Sequence, residues 1–101
     1  MDAERSWSTT ERRIDPAHPA ADGHFPGNPI MPGAVLLDEV RSVIPAETGG
    51  LRTAKFLVPV RPGDRLIIRW MTGPAGVTFE GLLNGDRLAL SGAFLLKASA
   101  P

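Results

Sequence analysis

Apolar and polar positions along this chain change period several times, and each change marks an element. Between residues 34 and 44, Leu36, Val40, Val43 and Ile44 recur at helical spacing, while Asp38, Arg41 and Ser42 share the other side. That pattern predicts one helix. Pro32 and Gly33 suit its start, and Pro45 suits its end. Ahead of it, residues 5–14 hold Trp7, Thr9, Thr10 and Ile14 with no breaker, which predicts a first strand. From Asp15 to Gly33 the chain carries five Pro and three Gly, so no regular element persists there.

Beyond the helix, Thr48-Gly49-Gly50 reads as a break, and the rest of the chain reads as strands. Residues 54–60 form one, closed by the turn composition Arg61-Pro62-Gly63-Asp64. Leu66, Ile68 and Trp70 then alternate with Ile67, Arg69 and Met71, a period of two. Val77, Phe79 and Leu83 share one face of the next strand, and Asn84-Gly85 is a strong hairpin signal. Residues 87–98 make the last and longest strand. One helix is too few for parallel crossovers, so about five strands imply a mainly antiparallel sheet and an α+β class. Phe25, Phe56, Trp70, Phe79 and Phe94 read mostly as core. A single helix covers only one face of such a sheet, so at least a dimer is expected.

Composition narrows the class. The chain has 101 residues, which predicts one domain over residues 1–101. With no Cys it has neither disulfides, nor thiolate zinc sites, nor a cysteine nucleophile. Its two histidines, His18 and His24, have no cluster of further ligands beside them, so neither a metal nor a cofactor is expected. Eleven cations balance eleven acids, which leaves no basic field to recruit nucleic acid or an anionic membrane. The N-terminus lacks an apolar signal core, and no stretch approaches the roughly 18 apolar residues of a membrane span. A soluble, cytoplasmic protein is the expectation.

The chemistry concentrates in Gly23-His24-Phe25-Pro26-Gly27-Asn28-Pro29-Ile30-Met31-Pro32-Gly33 and the helix it leads into. A proline-stiffened loop presents one imidazole, and the helix start after it has free backbone N–H groups. Those groups and the helix dipole suit a developing oxyanion. Asp38 comes one turn later. A base, an oxyanion site and an acid thus lie within 15 residues, the inventory for removing a proton next to a carbonyl.

The same segment resembles the active-site motif of the beta-hydroxyacyl-acyl-carrier-protein dehydratases, members of the hotdog superfamily. Their pattern is His-Phe-Pro-Gly-x-Pro-x-x-Pro-Gly, with a catalytic Glu or Asp five residues after the last Gly. Every fixed position is matched, and Asp38 falls at the acid position. Phe56-Leu57-x-Pro-x-Arg-Pro-Gly-Asp64 is also similar to that family's strand and turn after the helix. The resemblance implies a helix wrapped by an antiparallel sheet and paired as a homodimer with shared sites. It implies dehydration of a 3-hydroxyacyl thioester, carried on the phosphopantetheine arm of an acyl carrier protein, in fatty-acid or polyene-type synthesis. His24 would take the C2 proton, and Asp38 of a partner would protonate the leaving 3-hydroxyl. The N–H groups of Gly33 and Ala34 would hold the thioester oxygen, with Phe25 in the substrate site. Two positions depart: the acid is Asp where much of the family has Glu, and Ser42 stands where a Gln is usual. The Asp form resembles the branch that also isomerises the double bond.

Simpler roles compete for these residues. His24 could fix the loop through a backbone hydrogen bond, and Asp38 could pair with Arg41. Glu39, a rival carboxylate, is about 100° of helix off the motif position and is expected to face solvent or an Arg. Arg61, Arg65 and Arg69 suit a solvated sheet face better than a patch for an acidic carrier protein. An unperturbed imidazole titrates near about 6.5 and an aspartate near about 3.9. An acid working at neutral pH therefore needs an apolar surround or a relayed proton. Two other functions fit the same outline: a hotdog thioesterase, and a non-catalytic acyl-binding subunit of a hotdog heterodimer.

Overall fold

The structure, a computed structural model, describes residues 7–18, 30–45 and 47–97. In chain order these form β1 (Ser8–Arg13), α1 (Gly33–Val43), β2 (Thr48–Phe56), β3 (Arg65–Gly73), β4 (Gly76–Leu83) and β5 (Arg87–Leu96). The five strands make one sheet in the order β1-β3-β4-β5-β2, and every neighbouring pair is antiparallel. This is the expected α+β architecture. The meander β3-β4-β5 fills the centre, and β1 and β2 are the two edges.

Alternation decides which face is buried. Leu66 and Ile68 on β3, Val77 and Phe79 on β4, and Leu90 and Phe94 on β5 are all at most 1% exposed. They pack with Leu36 and Val40 of α1, the helix stripe expected from its spacing. Each such side chain contributes roughly 1.5–3 kcal/mol when fully buried. Phe79 and Phe94 stack with ring centroids 5.0 Å apart. No polar or charged described residue is buried in this core. Trp70 packs against it part-buried.

Local geometry fixes one turn inside the meander and one just ahead of it. Asn84 (φ 51°) and Gly85 (φ 96°) both take positive φ, the geometry that matches a tight hairpin to strand twist. In the Arg61–Asp64 turn, the Arg61 N–H donates to Asp64 Oδ2 (2.8 Å).

Several boundaries depart from the expectations. The first strand runs Ser8–Arg13; residues 5 and 6 lie outside the described residues, as do those after 97. The larger correction is β2, which begins at Thr48 and ends at Phe56 rather than spanning 54–60. Gly49 and Gly50 do not break it. The irregularity is absorbed by register shifts against β5 between Thr48 and Leu51 and between Leu51 and Thr53. After Phe56 the chain leaves the ladder, because the Leu57 and Val58 N–H groups both turn to the Ala89 carbonyl (2.7 and 3.4 Å). Among the described residues, no helix is long and apolar enough to cross a membrane.

Candidate active site

Site geometry starts from the end of the Pro-rich loop. The Met31 N–H donates to the Val60 carbonyl (2.7 Å), and the Met31 side chain is buried, so the segment entering the helix is pinned to the one leaving β2. Pro32 occupies the N-cap with extended backbone (φ −60°, ψ 144°) and offers no capping side chain. Its carbonyl takes the Val35 and Leu36 N–H groups (3.1 and 3.2 Å). Among the described residues, the Gly33 and Ala34 amides are left as the helix's first unbonded donors.

Beside those amides lies a groove of about 440 Å³, lined by residues 30–33, Leu36 and residues 56–60. Its side chains are all apolar. Phe56, read from the sequence as core, is instead 49% exposed at this groove, and Leu57 is 52% exposed. The reason is that β2 is an edge strand, and Phe56 is its last residue, beyond which nothing in the sheet covers it. The tip of its ring lies against the Gly33 α-carbon: a Cβ added at Gly33 would stand 2.8 Å from Phe56 Cζ. A signal existed in the sequence, where Phe56-Leu57-Val58 runs three apolar residues without alternation into Pro59.

Asp38 is exposed on α1, five residues after Gly33 and so about 7.5 Å further along the axis. It stands about 200° around the helix from the buried Leu36, on the side turned away from the chain's own sheet. It does not pair with Arg41, whose guanidinium lies over the Phe94 ring (4.5 Å) and whose Nη2 reaches the Gly49 carbonyl (3.4 Å). Glu39 does face an Arg as expected, with 3.9 Å to Arg12 Nε. Ser42 is engaged locally: its Oγ donates to the Glu39 carbonyl (2.7 Å) and accepts from Arg12 Nη2 (3.4 Å). Arg65 pairs with Glu11 (3.3 Å) at an exposed position, as a solvated sheet face would have it, whereas Arg69 Nε donates to Glu80 (2.7 Å) at a part-buried one. His18 is half-buried, in a turn where its N–H donates to the Asp15 carbonyl (3.0 Å). His24 and Phe25 lie outside the described residues.

A helix laid on one face of a five-stranded antiparallel sheet, with an apolar groove at its N-terminus, is the hotdog fold. The chain belongs to the ApeI-like dehydratase family: the family model, described as ApeI dehydratase, matches residues 2–91. Curated relatives agree. The 3-hydroxyacyl-[acyl-carrier-protein] dehydratase FabZ of Thiobacillus denitrificans is 30% identical over 77 residues, covering 60% of this chain and 53% of that protein. FabZ of Haemophilus influenzae is 28% identical over 102 residues, covering 82% of this chain and 69% of that one. The chain thus spans about half the length of the first of these relatives. Among solved structures, the dehydratase heterocomplex ApeI:P from Xenorhabdus doucetiae matches with a TM-score of 0.76 at 23% identity. That match covers 95% of this chain and 90% of the other.

Proposed function

We propose that this chain forms part of a dehydratase that converts a 3-hydroxyacyl thioester, held on an acyl carrier protein, to the trans-2-enoyl thioester. Its setting would be fatty-acid or polyene-type synthesis in the cytoplasm, with residues 1–101 acting as one hotdog domain. The observation that carries this is the pair of Gly33 and Ala34 amides, unbonded among the described residues, beside an apolar groove. Such donors stabilise negative charge on a thioester oxygen where water is excluded.

The elimination balances without a redox partner. His24 removes the proton from C2, and the charge that builds on the thioester oxygen is held by Gly33 and Ala34. Asp38 gives a proton to the 3-hydroxyl, which departs as water while the C2–C3 double bond forms. Because Asp38 faces away from its own sheet, it would serve a substrate held by a second chain. The β2 edge, with Leu51 43% exposed, is a surface on which a second copy could seat. Supplying purified protein with 3-hydroxyacyl thioesters on a carrier protein and on coenzyme A tests the proposal. Enoyl product supports it. Free thiol would assign a thioesterase instead, and no product from the chain alone would leave an acyl-binding subunit.

One observation favours a second version of the pairing. β2 carries two cations, Arg52 and Lys55, and no acid. Antiparallel self-pairing centred between residues 53 and 54 sets Arg52 of each copy opposite Lys55 of the other, about 5 Å apart across the strands and inside one screening length. A different hotdog chain with an acidic edge avoids this repulsion. Sedimentation of the purified chain separates the two. A stable dimer supports self-pairing, and a monomer that assembles only with such a partner supports the heteromer.

A further inference from the structure

We infer that Phe56 is a specificity-determining residue of this site: its ring is the wall that decides which acyl chains reach the Gly33 and Ala34 amides. The inference rests on the dehydratase proposal and adds to it a residue outside the His-Phe-Pro-Gly motif. Three observations converge. The ring tip occupies the space where a side chain at position 33 would stand, 2.8 Å from an ideal Cβ to Cζ and 3.1 and 3.2 Å to Cε2 and Cε1. Phe56 is nonetheless 49% exposed, so its ring is not locked into the core and can meet whatever enters the groove. Among the described residues that groove has no charged lining residue, so the part of a ligand that they accept is hydrocarbon.

Chemistry at the thioester and size at position 56 are therefore linked through one contact. An acyl group whose carbonyl sits on the helix amides must run its C3 and C4 carbons past the Phe56 ring. A chain branched at C4 needs the volume the ring fills. A single methylene in an apolar pocket changes discrimination by roughly 10- to 200-fold, so truncating a phenyl ring has ample scope to alter it.

The test compares Phe56→Leu and Phe56→Ala with the unaltered protein, using a straight-chain and a C4-branched 3-hydroxyacyl thioester. The expected result is a rise of about tenfold or more in the branched-to-straight ratio of kcat/KM, larger for Ala than for Leu. In parallel, Gly33→Ala should lose turnover, and adding Phe56→Ala should restore part of it by giving the new methyl room. An unchanged ratio, or losses that simply multiply in the double variant, would overturn the inference, as would an effect on assembly alone. Should the unaltered protein turn over neither substrate, affinity for non-reactive straight and branched acyl-pantetheine amides supplies the same ratio. A ratio shifted by Phe56→Ala there keeps the inference while the dehydratase proposal fails, and an unshifted ratio ends both.

Discussion

The guanidinium of Arg41 lies 4.5 Å from the centroid of the Phe94 ring, on the end of α1 that faces away from the candidate site. The same side chain reaches the Gly49 carbonyl at 3.4 Å, so one cation joins the helix, β5 and the irregular start of β2. Arg41→Met retains much of the apolar stem and removes the charge. It should cost about 0.5–1 kcal/mol, the worth of an exposed cation–π contact. Urea unfolding measures this, and a loss no larger than that of a neighbouring exposed substitution such as Ser42→Ala would argue that the contact is idle.

Asp38 and Glu39 are adjacent carboxylates with different fates, which makes them a matched pair. Asp38→Asn should lower dehydration by roughly 10²- to 10⁴-fold, the range for a general acid. Because Asp38 is exposed, its unfolding midpoint should stay put. Glu39→Gln loses only the 3.9 Å pairing with Arg12, which is worth at most about 1 kcal/mol at a part-exposed position, and should leave turnover intact. If Glu39→Gln proved the inactive variant, the acid would have been assigned one residue early.

His24 is the proposed base. His24→Ala should cost roughly 10²- to 10⁴-fold in rate. A base that must be neutral makes kcat/KM rise with pH between about pH 5 and 9. The rising limb should disappear in the His24 variant. A flat profile across that range in the unaltered protein would remove that base from the mechanism.

Much of the frame is legible in the sequence because local signals and tertiary packing agree. The α1 stripe of Leu36 and Val40, the alternation of Leu66 and Ile68, and the Asn84-Gly85 turn each specify the same element at every level. Gly33, Ala34 and Asp38 are picked out by a motif and stand in the first turns of the helix. β2 departs from its expected span because Gly49-Gly50 looks like punctuation when read alone. Only the pairing with β5, with its register shifts, turns those glycines into strand. Phe56 departs for a related reason: its apolar character predicts burial, whereas its location at the end of an edge strand is a property of topology. Sequence period reports which residues want a core, and strand order decides which ones get it.

The residue on which that strand order leans is Gly92. It pairs with Phe79 of β4 on one side and Ala54 of β2 on the other. A Cβ there would run into the Thr53 carbonyl oxygen and stand 2.7 Å from Phe79 Cζ. Backbone cannot withdraw without breaking the β2–β5 ladder, and the Phe79 ring is fully buried and stacked on Phe94. Gly92→Ala should therefore cost about 1–3 kcal/mol as overpacking. That corresponds to a fall of several degrees or more in Tm for a domain of about this size. Gly50→Ala is the control: nothing lies within 4 Å of its Cβ, and restricting the unfolded chain should leave stability unchanged or raise it by up to about 1 kcal/mol. Thermal unfolding of the two variants side by side decides the matter. Equal losses would mean that loss of glycine itself, rather than the close approach of Thr53 and Phe79, is what the strand cannot tolerate.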